Sequence, residues 1–208
     1  AEAAGYRAIV LTVDLVSLGR REREVRGGFR LAASIELPSL HRPDESSGTL
    51  QETSSLLERG LSWTDVERLG SWTSLPVVVK GILHPRDAKL AVEHGCAGVV
   101  VSNHGGRQLD GAIAPVDALP RIAEAVAGRL ELYLDSGVRR GVDVVAALAL
   151  GARAVLVGRA PTYGLVVGGE QGVRAVLEVF RAELENALHL CGVASATAVP
   201  RDLVVTAT

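Results

Sequence analysis

The chain has 208 residues, of which 48% are hydrophobic, and its formal net charge at pH 7 is −2. A chain of this length and composition can bury one sizeable core, so we predict a globular domain. The mild negative charge, without a basic cluster, argues against nucleic acid or an anionic membrane as a partner. Because there is no bilayer-length apolar stretch and no signal-peptide layout at the start, we predict no membrane span and a cytoplasmic location.

Five short runs rich in Val and Leu, each ended by Gly or a polar residue, are typical of β-strands. In chain order they cover 8–14, 75–83, 97–103, 130–137 and 154–160. The segments between the last four strands have apolar residues three and four positions apart, with Pro or Asp near the start and Gly at the end, as helices do. They cover 85–95, 116–128 and 141–151. Alternating strands and helices predict a parallel sheet and the α/β class.

Few strand signals occur between the first two predicted strands. The region 27–60 is rich in Gly, Pro, Ser and charged residues, which is typical of a long surface loop. Loops of this length are usually lids or disordered segments. We predict a lid-like loop over 27–60, and the disordered interpretation stays open beside it.

The two cysteines, Cys96 and Cys191, are far apart and have no metal-ligand spacing. We therefore predict no metal site and no disulfide. Both cysteines are expected to pack in the core or between helices.

Two parallel architectures fit this alternation, the open doubly wound sheet and the closed (β/α)₈ barrel. Every predicted strand delivers polar residues at or near its C-terminal end, which favours a barrel with its active site at the carboxyl ends of the strands. They are Asp14, Lys80, His104 with Arg107, Asp135 with Arg139, and Arg159. No GxGxxG follows the first strand, which weakens the dinucleotide-binding alternative. A whole barrel needs about 250 residues, so we predict that residues 1–208 form a single barrel-type domain that supplies strands 4 to 8 and lacks the N-terminal strands.

Five motifs occur in order along the chain: "LTVDLVSLGRRE" (11–22), "VVVKGIL" (77–83), "SNHGGRQLDG" (102–111), "LDSGVRRGVDVVAALALGARAVLVGRA" (134–160) and "YGLVVGGEQGV" (163–173). Together they resemble the FMN-dependent α-hydroxy acid oxidase and dehydrogenase family. Many members carry two glycines where this chain has Ser136-Gly137. The resemblance implies a TIM barrel that binds FMN.

The resemblance also implies a catalytic set. His104 resembles the family's general base, and Asp14 the carboxylate that orients this base and stabilises its imidazolium, a suitable division of labour for proton abstraction. Arg107 resembles the guanidinium that holds the substrate carboxylate, and Arg21 a second arginine near it. Lys80 matches the lysine at the flavin N1/O2 edge, where a fixed positive charge favours the reduced cofactor.

Further positions match the family's cofactor contacts. Thr12 and Ser102 resemble residues that touch the isoalloxazine ring. The ribityl chain and phosphate are expected at Asp135, Ser136, Gly137, Val138 and Arg139, and Gly158 with Arg159 complete a phosphate site at the last strand ends. Arg140 competes with Arg139 for the phosphate, and the pattern favours Arg139.

The activity implied is FMN-dependent oxidation of an L-2-hydroxy acid, mandelate-like or lactate-like, to the 2-oxo acid. We expect oxygen to reoxidise the flavin and to yield hydrogen peroxide, with a quinone as the alternative acceptor. The resemblance further suggests a homotetramer, and flavin binding is expected to need the missing N-terminal part of the barrel.

Two other classes of function stay open. One is a phosphate-binding barrel of different chemistry, such as an FMN-dependent isomerase or an aldolase-like enzyme in which Lys80 forms a Schiff base. The other is a non-catalytic barrel fragment that needs a partner chain to cover its sheet edges.

Overall fold

The computed structural model describes residues 1–28, 57 and 60–205. The predicted loop 27–60 therefore lies almost wholly outside the described residues. In chain order the elements are β1 (Ile9–Thr12), α1 (Glu22–Arg26), α2 (Trp63–Ser71), β2 (Val77–Ile82), α3 (Pro85–Glu93), β3 (Gly98–Val101), α4 (Pro115–Val126), β4 (Glu131–Asp135), α5 (Gly141–Ala149), β5 (Ala154–Leu156) and α6 (Arg159–Leu190). No helix in this part of the chain is long and apolar enough to cross a membrane.

All five strands pair in parallel in the order β1-β2-β3-β4-β5. Each strand thus lies beside the strand that precedes it in the chain, as in a barrel wall, whereas a doubly wound sheet reverses its strand order at a switch point. The α/β prediction is confirmed, and so are all five predicted strands. The last strand is shorter than expected, because the chain enters α6 at Arg159.

The helices begin where the sequence supplies a suitable first turn. Pro85 and Pro115 open α3 and α4, where a proline costs no hydrogen bond. His84 caps α3 by accepting the Arg86 N–H at 3.1 Å. Asp143 accepts the N–H groups of Arg139 and Arg140 at the start of α5, so the polypeptide after β4 has a defined path into its helix.

One face of the sheet packs against helices and forms the core. The alternate strand residues on this face, such as Val79, Val99 and Val101, are fully buried with Leu119 and Ile122 of α4. The opposite face carries Thr12 and Lys80, which pair in register. At its edges this second face is open to solvent, since Val10 of β1 is 52% exposed and Leu156 of β5 is 37% exposed.

Cys96 is buried and burial raises the pKa of its thiol to about 11, which makes it a poor nucleophile. Cys191 is exposed just after α6. The expectation that both cysteines are packed inside is therefore wrong for Cys191, because α6 ends on the surface there.

Candidate active site

The loops after β1 and β3 bring Asp14 and His104 together. Nδ1 of His104 lies 3.1 Å from Oδ1 of Asp14, and both side chains are largely buried. An ionised carboxylate only accepts hydrogen bonds, so Nδ1 must carry the hydrogen, which leaves Nε2 as the basic nitrogen. The second Asp14 oxygen, Oδ2, is buried and has no hydrogen-bond partner among the described residues.

His104 lies in a left-handed turn that is rare for a residue with a side chain. Its φ is 57°, and Gly105 and Gly106 follow with φ of 70° and 71°. The turn is held by the His104 N–H, which donates to Ser102 Oγ at 3.0 Å, and by the Gly105 N–H, which donates to Ser136 Oγ at 2.8 Å. Strained backbone of this kind concentrates at functional sites, where the surroundings hold it in place.

A second polar network links the ends of β2, β3 and β4. Lys80 Nζ lies 3.2 Å from Asp135 Oδ2 and donates to Ser102 Oγ at 3.2 Å. Ser102 is fully buried and donates to Asp135 Oδ2 at 2.5 Å. Burial alone would raise the pKa of Asp135, but the hydrogen bond from Ser102 and the charge and hydrogen bond of Lys80 outweigh it, so the pKa is lowered.

This lowered pKa predicts a pH dependence of stability. Because the unfolded Asp135 carboxyl takes up a proton at higher pH than the folded one, its stabilisation is complete above the ordinary Asp pKa of about 3.9 and is lost as pH falls through the folded pKa. The test measures the free energy of unfolding in urea at a series of acidic pH values. As the pH falls below about 3.9, the free energy of unfolding of Asp135→Asn should decrease less than that of the parent protein. Equal losses in both proteins would show that Asp135 titrates normally.

The two predicted substrate arginines meet at one carboxylate. Arg21 Nη1 lies 3.3 Å from Glu24 Oε2, and Arg107 Nη2 lies 3.7 Å from Glu24 Oε1. Nε of Arg21 is buried with no partner within the described part of the chain. Arg21, Arg107 and Glu24 together carry a formal net charge of +1 (2 − 1), which one further carboxylate would balance.

A cavity of about 320 Å³ is lined by residues that follow β3, β4 and β5. Its lining includes Gly105, Ser136, Gly137, Val138 and Arg159. The structure therefore brings together four of the predicted ribityl and phosphate positions: 136, 137, 138 and 159. Arg159 donates to the Gly105 carbonyl at 3.0 Å, and it stands at the first turn of α6 rather than at the end of a strand.

The residue Ser136, where many family members carry glycine, has a φ of 80°, and Gly137 has a φ of 79°. A serine is strained in this region. Its hydroxyl offsets part of the cost, since it accepts the Gly105 N–H and donates to Asp135 Oδ2 at 3.2 Å. The serine at this position therefore links the loop after β4 to the His104 turn through its hydroxyl group.

The two competing arginines have different surroundings. Arg140 forms a 2.7 Å ion pair with Glu183 of α6. Arg139 is exposed, and its guanidinium has no ion pair within residues 1–28 and 60–205. Gly158 precedes α6 as its N-cap.

Three residues that sequence reasoning missed shape this site: Glu24, Gly81 and Gln108. A glycine within an apolar strand is a signal for a β-bulge, and the register of β2 against β3 does shift between Lys80 and Ile82. Glu24 and Gln108 had no such signal, because a charged residue in a short helix and an amide in a loop are ordinary surface residues.

A parallel sheet with a histidine–carboxylate pair, a largely buried lysine and two arginines at the carboxyl ends of its strands has the arrangement of an α/β enzyme site. No group of three or more potential metal ligands was found among the described residues. The family model described as "FMN-dependent dehydrogenase" matches residues 1–206. The chain belongs to this family.

The proteins similar to this chain include three oxidases. L-lactate oxidase of Nostoc sp. (strain PCC 7120) is 49% identical over 201 residues, which are 92% of this chain and 55% of that protein. 2-Hydroxyacid oxidase 1 of Mus musculus is 45% identical over 214 residues, covering 98% and 58% of the two chains. A crystal structure of mandelate oxidase matches with a TM-score of 0.85 at 43% identity, covering 97% of this chain and 57% of that one. The chain thus spans somewhat more than half the length of these relatives.

Proposed function

We propose that this chain carries the catalytic half of an FMN-dependent L-2-hydroxy acid oxidase, and that its five strands correspond to strands 4 to 8 of the barrel. The observation that carries the proposal is the pairing of His104 Nδ1 with Asp14 at 3.1 Å, on the sheet edge that also holds Lys80. The open second face of the sheet supports a need for further strands, since half-exposed Val10 lies on it.

The residues present fit FMN at the phosphate end. The cavity offers the Arg159 guanidinium, and the backbone N–H groups of Gly137 and Val138 make no hydrogen bond within the described part of the chain. Free amides beside a helix N-terminus are a usual anion site. We assign the ribityl and phosphate group to Asp135, Ser136, Gly137, Val138, Arg139, Gly158 and Arg159, and the ring to Thr12 and Lys80. The expected ring contact of Ser102 is not retained, because Ser102 is fully buried and its hydroxyl instead holds Lys80 and Asp135.

When bound, FMN would supply the acceptor for the hydride equivalent from the substrate carbon, and oxygen would be the final oxidant, giving hydrogen peroxide. In this chain Nε2 of His104 removes a proton from the 2-hydroxyl group, and Asp14 stabilises the imidazolium that results. Arg107 and Arg21 hold the substrate carboxylate, which balances their remaining positive charge. Lys80 supplies a positive charge toward the cofactor.

The oxidases among the relatives favour oxygen over a quinone as acceptor. The Schiff-base alternative is disfavoured, since the Lys80 amine is held in an ion pair with Asp135 at 3.2 Å. A charged ammonium has no lone pair with which to attack a carbonyl.

The visible absorption spectrum of the purified protein, taken anaerobically with and without (S)-mandelate and then lactate, tests the proposal. A flavin spectrum that bleaches with either acid supports it, and the faster acid identifies the preferred side chain. A protein that stays colourless with added FMN, even when supplied with the remaining strands on a second polypeptide, contradicts it.

The phosphate assignment predicts different effects for two neighbouring arginines. Arg139→Ala should weaken FMN binding, measured by quenching of flavin fluorescence, by about tenfold, because it removes a charged hydrogen-bond donor from the phosphate. Arg140→Ala is the matched control, because the Arg140 guanidinium already forms an ion pair with Glu183. It should lower stability and leave FMN affinity unchanged, and the reverse pattern would assign the phosphate to Arg140.

A further inference from the structure

The loops after β1 and β3 carry different halves of the proposed catalytic set. The β1 loop holds Asp14 and leads to Arg21, and the β3 loop holds His104 and Arg107. The set works only if the two loops keep a fixed distance, because His104 must reach Asp14 and both arginines must reach one carboxylate.

One side chain joins these loops directly. Nε2 of Gln108 donates to the carbonyls of Asp14 and Ser17, each at 2.7 Å. Its Oε1 accepts the N–H of Gly19 at 3.2 Å. A single carboxamide therefore satisfies three backbone groups of the β1 loop, which belong to residues 14, 17 and 19.

The backbones of the two loops are also in close contact. A Cβ atom at Gly19 would lie 2.3 Å from the Arg107 carbonyl oxygen and 2.6 Å from that of Gln108. The β1 loop thus packs against the backbone of residues 107 and 108. The hydrogen bonds of the Gln108 carboxamide determine the position of the loop on this backbone.

We propose that Gln108 is a positioning residue, whose carboxamide fixes the β1 loop on the β3 loop and so sets the alignment of Asp14 with His104 and of Arg21 with Arg107. The proposal depends on the proposed function only for the roles of those four residues. Gln108 itself touches no reacting atom.

The test uses the full chain and the ¹⁵N resonances of the His104 imidazole, which report the nitrogen that carries the proton. In Gln108→Met, which keeps the length of the side chain and removes its donors, the Nδ1-protonated form should no longer dominate. The Nδ1 proton should also exchange with water about tenfold faster, the change expected for losing a hydrogen bond. Gln108→Glu should do the same, because a carboxylate oxygen would face two carbonyls.

The matched control is Arg129→Ala, which removes two side-chain hydrogen bonds to the carbonyls of Val126 and Ala125. Arg129 precedes β4, so it lies at the other end of the sheet from His104. We expect it to lower stability and to leave the His104 resonances unchanged.

A Gln108 variant that behaves like Arg129→Ala, with lower stability and an unchanged imidazole, overturns the proposal. If Gln108→Met does not fold, the result for Gln108→Glu decides in the same way. The resonances need neither FMN nor substrate, so failure of this proposal is separate from failure of the spectral test. If the Gln108 variants change the His104 imidazole as expected but the parent protein shows no flavin reduction, only the proposed function is rejected.

Discussion

Replacing His104 by Gln is expected to slow the reduction of bound flavin by a 2-hydroxy acid about 10²- to 10⁴-fold. Glutamine can donate to Asp14 as the imidazole does, but it has no basic nitrogen to take the proton of the hydroxyl group. Substrate affinity should change little, because the carboxylate is held by Arg21 and Arg107, which the substitution leaves in place. Stopped-flow absorbance under anaerobic conditions gives both quantities, since the rate saturates with substrate concentration.

The matched control for this experiment is His189→Gln, which replaces an exposed histidine in the last turn of α6. It should reduce flavin at the parent rate. If His104→Gln also keeps the parent rate, His104 is not the base. If its affinity falls and its limiting rate does not, His104 binds substrate and takes no proton.

Gly81→Ala is expected to lower the free energy of unfolding by about 2–4 kcal/mol. Gly81 has a φ of +111°, and a Cβ atom there would lie 2.6 Å from Cβ and Cγ of Asp14 and 2.9 Å from its backbone nitrogen. The added methyl group must push Asp14 away, since the neighbouring β1 backbone is tied to β2 by the Val13 N–H, which donates to the Lys80 carbonyl at 2.8 Å. Urea unfolding measures the change.

Gly95→Ala separates backbone strain from this contact. Gly95 has a φ of +71°, and a Cβ atom there would meet nothing within 4 Å. Its substitution should cost about 1 kcal/mol from strain alone, and it should leave flavin reduction unchanged, whereas Gly81→Ala should also slow reduction by moving Asp14 away from His104. If both substitutions lower the free energy of unfolding by the same amount, Asp14 moves away from the added methyl group at no energetic cost.

The strands were predictable because their signal is local. Runs such as residues 75–83 and 97–103 combine β-branched residues with a polar or glycine end, and burial on both faces of a parallel sheet requires that composition. Their ends were less predictable. The run 154–160 was predicted as one strand, yet the chain leaves β5 at Leu156 and begins α6 at Arg159, with Gly158 as the N-cap. A short apolar run does not by itself distinguish a strand from the start of a helix.

The polar partners of the site were predictable only in part. Asp14, His104 and Asp135 each follow or end a strand, Lys80 lies two residues before the end of β2, and parallel strands deliver such residues to one edge. Which of them pair could not be read from their positions. Lys80 pairs directly with Asp135 across 55 positions of the chain (135 − 80), and the hydroxyl of buried Ser102 is hydrogen-bonded to both.

By itself, the sequence determined the α/β class, the parallel strands, the family and the residue types available at the carboxyl edge, since all of these depend on local composition and short motifs. The tertiary structure alone decided the contacts made over long chain distances. Gln108 holds the β1 loop 89 to 94 positions away, Glu24 lies between two arginines, and Gly81 makes room for Asp14. These contacts depend on how loops cross at a sheet edge, and no periodicity in the chain records that crossing.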